Sequence, residues 1–235
     1  GVGGPGARRK KGIRLITVDG MAYRWRLSGG AGCCTGCASG RSEFVVEQAD
    51  RKGAVLMAAT SAFPVVPSIV GAGVRAALDH YSRFVDALIE GGATPFPTLY
   101  HWEMPSAVES DGGWLVRDTA GRFADYAAIV ADRLGDRVTH WYTLNEPAMT
   151  TLQGYGTGAL APARPLLFHA LPTVHHQLLA HAFAAEALRS RGATAVGLVN
   201  NHTRVLPLTA SREDLVAATM YDTLHNGLFS EPLLA

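Results

Sequence analysis

The chain has 235 residues, 21 Lys and Arg against 20 Asp and Glu, a formal net charge of +1 and 48% hydrophobic residues. That length and composition suit a globular protein with a substantial core, and near-zero charge gives no electrostatic reason for a nucleic-acid or anionic-membrane partner. No apolar run reaches the roughly 20 residues a bilayer span requires, and no signal-like apolar segment follows Arg8, Arg9, Lys10 and Lys11, so a cytoplasmic protein with a solvated basic tail is expected.

Residues 12–27 place Asp19-Gly20 between two runs rich in β-branched and aromatic side chains, the pattern of a tight hairpin. Residues 44–48 and 54–57 predict a second hairpin across 50–53. Between the hairpins, the Gly/Ser-rich stretch 28–42 carries Cys33, Cys34 and Cys37. An odd count in one cluster argues against a disulfide framework, and Cys34-x-x-Cys37 lacks the second ligand pair of a closed zinc site. Free thiols in a loop are expected.

From residue 54 the pattern changes. Residues 74–90 repeat apolar side chains at helical spacing, with Leu78, Tyr81, Phe84, Val85, Leu88 and Ile89 on one face, and Gly91-Gly92 ends the run. A buried strand is predicted over 94–99. A helix over 119–134, capped by Asp118, comes next. A strand over 138–144, a helix over 172–191, a strand over 195–200 and a helix over 212–228 complete the order. Alternation of strand and helix predicts parallel strands with right-handed crossovers, and a (β/α) barrel leads. In that architecture chemistry sits at the C-terminal strand ends.

Polar residues gather there. Leu99-Tyr-His-Trp-Glu-Met-Pro105, Thr143-Leu-Asn-Glu-Pro147 and Asn200-Asn-His202 each follow a predicted strand. The sharpest feature is Asn145-Glu146-Pro147, where a strand-stopping Pro leaves a carboxyl group at the barrel mouth. Partial desolvation suits such a group to giving and taking a proton, with the amide of Asn145 beside it. Glu146 could instead merely cap the following loop. Spacing alone leaves both readings open.

The runs Pro95-Phe-Pro-Thr-Leu-Tyr-His-Trp-Glu-Met-Pro105, Gly112-Gly-Trp-Leu115, Arg117-Asp118, Arg122-Phe-Ala-Asp-Tyr126, Thr143-Leu-Asn-Glu-Pro147, Gly154-Tyr-Gly156, Ala161-Pro162 and His175-His-Gln-Leu-Leu-Ala-His181 together resemble the central motifs of family-one β-glucosidases. The resemblance implies an α/β fold, here a partial (β/α)8 TIM-type barrel of about strands two to five preceded by small antiparallel β-hairpins. With the basic tail and hairpin segment read from the residues over 1–53, the resemblance leaves a barrel-like part over 54–235. It further implies retaining hydrolysis of small β-glucosides or oligosaccharides at terminal β-glucosyl residues, without cofactor, metal or nucleotide. Glu146 matches the acid/base, His101 and Asn145 match residues that bind sugar hydroxyls, Trp102 matches the adjoining aromatic wall, and Asn201 matches an Asn that supports the nucleophile. Trp114 reads equally as packing or binding, and His175, His176 and His181 read as structural.

Departures accompany the matches. A retaining glycosidase needs two carboxylates about 5–5.5 Å apart, yet no Thr-Glu-Asn-Gly-like nucleophile segment occurs in these 235 residues. Glu186, in a predicted helix, and Glu231, in Ser-Glu-Pro, are poor replacements. Ser61-Ala-Phe-Pro-Val65 stands where the family carries Trp-Pro-Arg, and nothing in 1–53 resembles its Gln-Ile-Glu-Gly motif. Two readings follow: a β-glucosidase-type enzyme, truncated and weakly active, or a non-catalytic sugar-binding or scaffold remnant. Open sheet edges predict a homo-oligomer.

Overall fold

The computed structural model describes residues 14–18, 21–27, 42–48, 55–60 and 67–234. The basic tail and the three cysteines lie outside them. The chain divides into two compact units, Gly1–Asp79 and His80–Ala235.

In the first unit, β1 (Arg14–Val18), β2 (Met21–Leu27), β3 (Ser42–Gln48) and β4 (Val55–Thr60) form one antiparallel sheet in sequential order. The register Val18↔Met21 leaves only Asp19-Gly20 between β1 and β2. Pairing of Tyr23 with Gln48 and of Leu27 with Phe44 joins the two predicted hairpins into a single sheet. Four strands can support one another where an isolated hairpin is marginal.

Helix α1 (Pro67–Glu90) begins seven residues before the predicted start at 74 and crosses from the first unit into the second. Its predicted single apolar face is divided. Ser82 and Val85 are buried, whereas Tyr81 and Phe84 are 62% and 56% exposed. The reason lies in Arg137, which donates to Ser82 Oγ at 2.5 Å and pairs with Asp86 at 2.7 Å. These contacts turn the 82/85/86 stripe inward and leave 81 and 84 beside it. Gly92, at φ 81°, ends the helix, and Ala93 N–H donates back to Leu88 O.

The second unit is built on a parallel sheet in the order β5 (Thr98–Tyr100), β6 (His140–Asn145), β7 (Ala195–Val199). Between β5 and β6 run α2 (Ser106–Ser110) and α3 (Asp118–Leu134). Between β6 and β7 run α4 (Pro147–Met149), a π-helical turn Thr150–Thr157 and α5 (Pro172–Arg189). After β7 come α6 (Arg212–Asp222), a second π-helical turn Thr223–Gly227 and α7 (Leu228–Leu234). Parallel strands joined through helices make part of a (β/α) barrel. The core gathers Trp114, Phe123, Trp141, Leu144 and Leu188 with Ala120, Ala127, Ala131, Ala180 and Ala184. Those alanines let α3 and α5 lie close together, the most extensive helix pair among the described residues.

Four expectations shift. Strand β5 is short and starts at Thr98, because Pro95 and Pro97 have no N–H for a ladder. Asp118 is not the cap of α3. Arg117 holds that position, and Asp118 stands in the first turn, where its charge meets the positive end of the helix. The helix predicted over 212–228 runs on to Leu234, and a π-helical turn at Thr223–Gly227 interrupts its α-helical spacing. Among the described residues the parallel sheet has three strands rather than four, and Val55–Thr60 pairs antiparallel with β3. No described helix is long and apolar enough to cross a membrane.

Candidate active site

Because β5, β6 and β7 are parallel and adjacent, their C-terminal ends open on one side. The registers Tyr100↔Leu144 and Asn145↔Val199 bring the segments at 101–102, 145–146 and 200–201 alongside one another. Lateral bonds stitch them together. Trp102 Nε1 donates to Asn145 O at 2.9 Å, and Glu146 N–H donates to Val199 O at 2.7 Å.

Both residues that leave the sheet at this edge hold left-handed backbone angles, Trp102 at φ 79° and Glu146 at φ 44°. A non-glycine residue there costs about 1–3 kcal/mol and persists only where its surroundings hold it. For Glu146 the strand side supplies the Val199 bond. The helix side supplies bonds from Met149 and Thr150 N–H to its carbonyl at 2.9 and 3.3 Å. Although Glu146 stands at the N-cap of α4, its side chain makes no capping bond. Glu146 is half-buried, and among the described residues no side chain is seen to hydrogen-bond its carboxyl group. The loop-capping alternative is therefore not what the structure forms.

Trp102 is half-buried and its ring centroid lies 5.5 Å from that of the exposed His101. Asn145 ends β6 and is half-buried. These residues and Glu146 are linked directly. Asn201, also half-buried, follows β7, and among the described residues no side-chain hydrogen bond joins it to them. Its neighbours Asn200 and His202 both reach Ser230 Oγ of α7, at 3.4 and 2.8 Å.

Trp114 is 1% exposed and packs edge-on to Tyr100 and Phe123. It belongs to the core. The three histidines of α5 brace neighbouring elements. His175 Nε2 accepts from Arg117, His176 Nδ1 donates to Trp114 O, and His181 Nδ1 meets Thr143 Oγ1 at 2.7 Å. Burial, then Arg189, pushes the His181 pKa below its ordinary value. Among the described residues no group of three or more His, Cys, Asp or Glu could hold a metal ion.

Sequence reasoning missed one cluster in the segments that follow β5 and β6. The fully buried Tyr155 donates its hydroxyl to Glu109 Oε2 at 2.5 Å and accepts from Trp114 N–H at 3.1 Å. Glu109 in turn pairs with Arg164 Nε at 2.9 Å. Burial foremost, and the Glu109 bond next, drive the Tyr155 phenol far above its ordinary range. Burial also pushes Tyr100 up to about 12. Gly154-Tyr155-Gly156 was visible as a motif, but its partners are 46 and 41 residues distant in sequence.

Comparison with known proteins accords with this geometry. The chain is 43% identical over 171 residues to thermostable β-glucosidase B of Thermobispora bispora, covering 72% of this chain and 35% of that protein. It is 36% identical over 171 residues to 1,4-β-D-glucan glucohydrolase of Thermotoga neapolitana, covering 72% of this chain and 40% of that one. Among solved structures, psychrophilic β-glucosidase BglU of Micrococcus antarcticus superposes with a TM-score of 0.63 at 46% identity, over 66% of this chain and 33% of that chain. The chain thus spans about two fifths or less of the length of these relatives. Residues 65–235 match the sequence profile of glycosyl hydrolase family 1. On these matches and the strand-edge arrangement that accompanies them, the chain belongs to glycosyl hydrolase family 1.

Proposed function

We propose that this chain contributes the acid/base half of a retaining β-glucosidase site that releases terminal β-glucosyl residues from small β-glucosides. The observation that carries the reading is Glu146 at the strand edge, held by a left-handed backbone, with a side chain that makes no capping bond to the helix it precedes. Glu146 protonates the departing oxygen and then takes a proton from the attacking water. His101 and Asn145 bond hydroxyls of the sugar, the Trp102 ring forms the adjoining wall, and Asn201 supports the side of the site where the nucleophile acts. The glucosidase names of the relatives support this substrate class.

The test is hydrolysis of two aryl β-glucosides by the purified chain and by Glu146→Gln. A poor leaving group needs protonation, so its rate should fall by about two orders of magnitude or more, while an activated one falls less. Equal loss on both substrates would overturn the acid role.

A second reading is a sugar-binding or scaffold remnant without turnover. Calorimetric glucose binding with no hydrolysis would select sugar binding, and neither binding nor hydrolysis would select the scaffold. Association into a homo-oligomer that covers the sheet edges belongs to the same proposal.

A further inference from the structure

We propose that Glu109 is a positioning residue: through Tyr155 it fixes the helical turn that begins at Glu146 and so sets where the Glu146 carboxyl stands. The inference rests on the reading of Glu146 as the acid/base, and deepens it.

From Glu146 the chain runs without a loop through α4 into the π-helical turn Thr150–Thr157. Pro147, Ala148, Thr150, Thr151, Gly154, Tyr155 and Gly156 are buried along it. Such a segment moves as one piece, so its orientation is decided at whichever point is anchored. π-Helical turns are often found at functional sites, where the wider spacing re-aims side chains. The near end is Glu146 itself, in a conformation that the surroundings must impose.

The far end is held at Tyr155. Its hydroxyl satisfies both of its bonding roles, donating to Glu109 Oε2 and accepting from Trp114 N–H. The backbone of the same turn is clasped by Arg164, whose N–H donates to Gly154 O at 3.0 Å, and by Leu166, whose N–H donates to Tyr155 O at 3.0 Å. Glu109 gathers these pieces. It accepts from Tyr155, pairs with Arg164 Nε, and its own carbonyl accepts from Arg164 Nη2 at 3.1 Å. There is no slack in the arrangement. A Cβ at Gly113 would stand 2.1 Å from Glu109 Oε2 and 2.2 Å from the Tyr155 hydroxyl. One carboxylate therefore ties α2, the Gly-Gly-Trp turn, the segment after Glu146 and the 158–166 loop.

Two substitutions separate positioning from bulk stability. Glu109→Gln keeps size but turns a donor toward the Arg164 guanidinium, and Tyr155→Phe keeps the buried ring and removes the hydroxyl. Amide hydrogen exchange by mass spectrometry reads each variant of the full chain. The amides of 148–157 should exchange about tenfold or more faster, while those of α3 change by less than about threefold. Equal acceleration in both regions, or none in either, would overturn the proposal.

Turnover supplies the second readout. For a poor leaving group both variants should lower kcat about tenfold with KM within about twofold, and an activated leaving group should be spared. Equal loss with both leaving groups overturns the link to Glu146. If the unmodified chain does not hydrolyse either substrate, the β-glucosidase reading fails separately, and the exchange comparison alone decides whether Glu109 sets the Glu146 turn.

Discussion

Trp114 and His101 occupy neighbouring sequence motifs but serve different ends. Trp114 fills the centre of a ring cluster, so Trp114→Ala should cost about 3–5 kcal/mol in urea denaturation through the cavity it leaves. His101 is exposed at the strand edge, so His101→Ala should change stability by less than about 0.5 kcal/mol. The same substitution should weaken glucose binding, with an unmatched hydroxyl costing about 1–3 kcal/mol. Stability loss at His101 without a change in calorimetric binding would reverse the assignment. Sequence could propose Asn145-Glu146-Pro147, because a carboxylate trapped between a strand and a proline is a chemical oddity. It could not propose the left-handed backbone of Glu146 and Trp102. Local preference puts glycine or asparagine there, and the lateral bonds to Val199 and Asn145, with the Met149 and Thr150 N–H bonds to the Glu146 carbonyl, hold other residues in that shape.

At the scale of elements, α5 is fastened to β6 by His181 and Thr143. Burial holds the His181 ring neutral, with its folded pKa below the unfolded value of about 6.5. The unfolded chain therefore takes up the proton first as pH falls. The stabilising contribution is complete above about pH 6.5 and is lost as the pH drops through the depressed folded value. Melting temperature should fall as the pH drops below about 6.5, and His181→Gln should flatten that slope. A parallel slope in the variant would assign the acid sensitivity to other groups. Helices α3 and α5 were legible from spacing alone because they keep one register over four or more turns. The two π-helical turns were not, since one extra residue in a turn leaves the apolar spacing almost unchanged. The face of α1 was misjudged for a different reason: Arg137, 51 residues after Asp86, selects which stripe turns inward.

For the whole molecule, the parallel order β5-β6-β7 was readable from alternating strand and helix patterns. The joining of two hairpins into one antiparallel sheet was not, because the long Gly/Ser-rich stretch between β2 and β3 fixes no pairing register. Among the described residues β7 pairs only with β6. Beyond β7, Leu206, Leu208, Val216 and Met220 are 65%, 91%, 51% and 53% exposed. Apolar surface and an unpaired edge on one side favour self-association. Light scattering at micromolar concentration should give a mass above that of one chain, rising with concentration. A constant monomer mass together with a cooperative thermal transition would refute the oligomer.

The peptide at Glu146 belongs to two elements at once, since its N–H is spent on β7 and its C=O on the following helix. Like a pinion between two racks, it converts sliding into rotation. A small shear of β7 against β6 must twist the Glu146 backbone and swing its carboxyl before a single core side chain leaves its place. Warming should therefore uncouple chemistry from architecture. Hydrolysis of a poor leaving group should decline several degrees below the loss of helical circular dichroism, while an activated substrate, indifferent to the proton, should hold its rate until the helices melt.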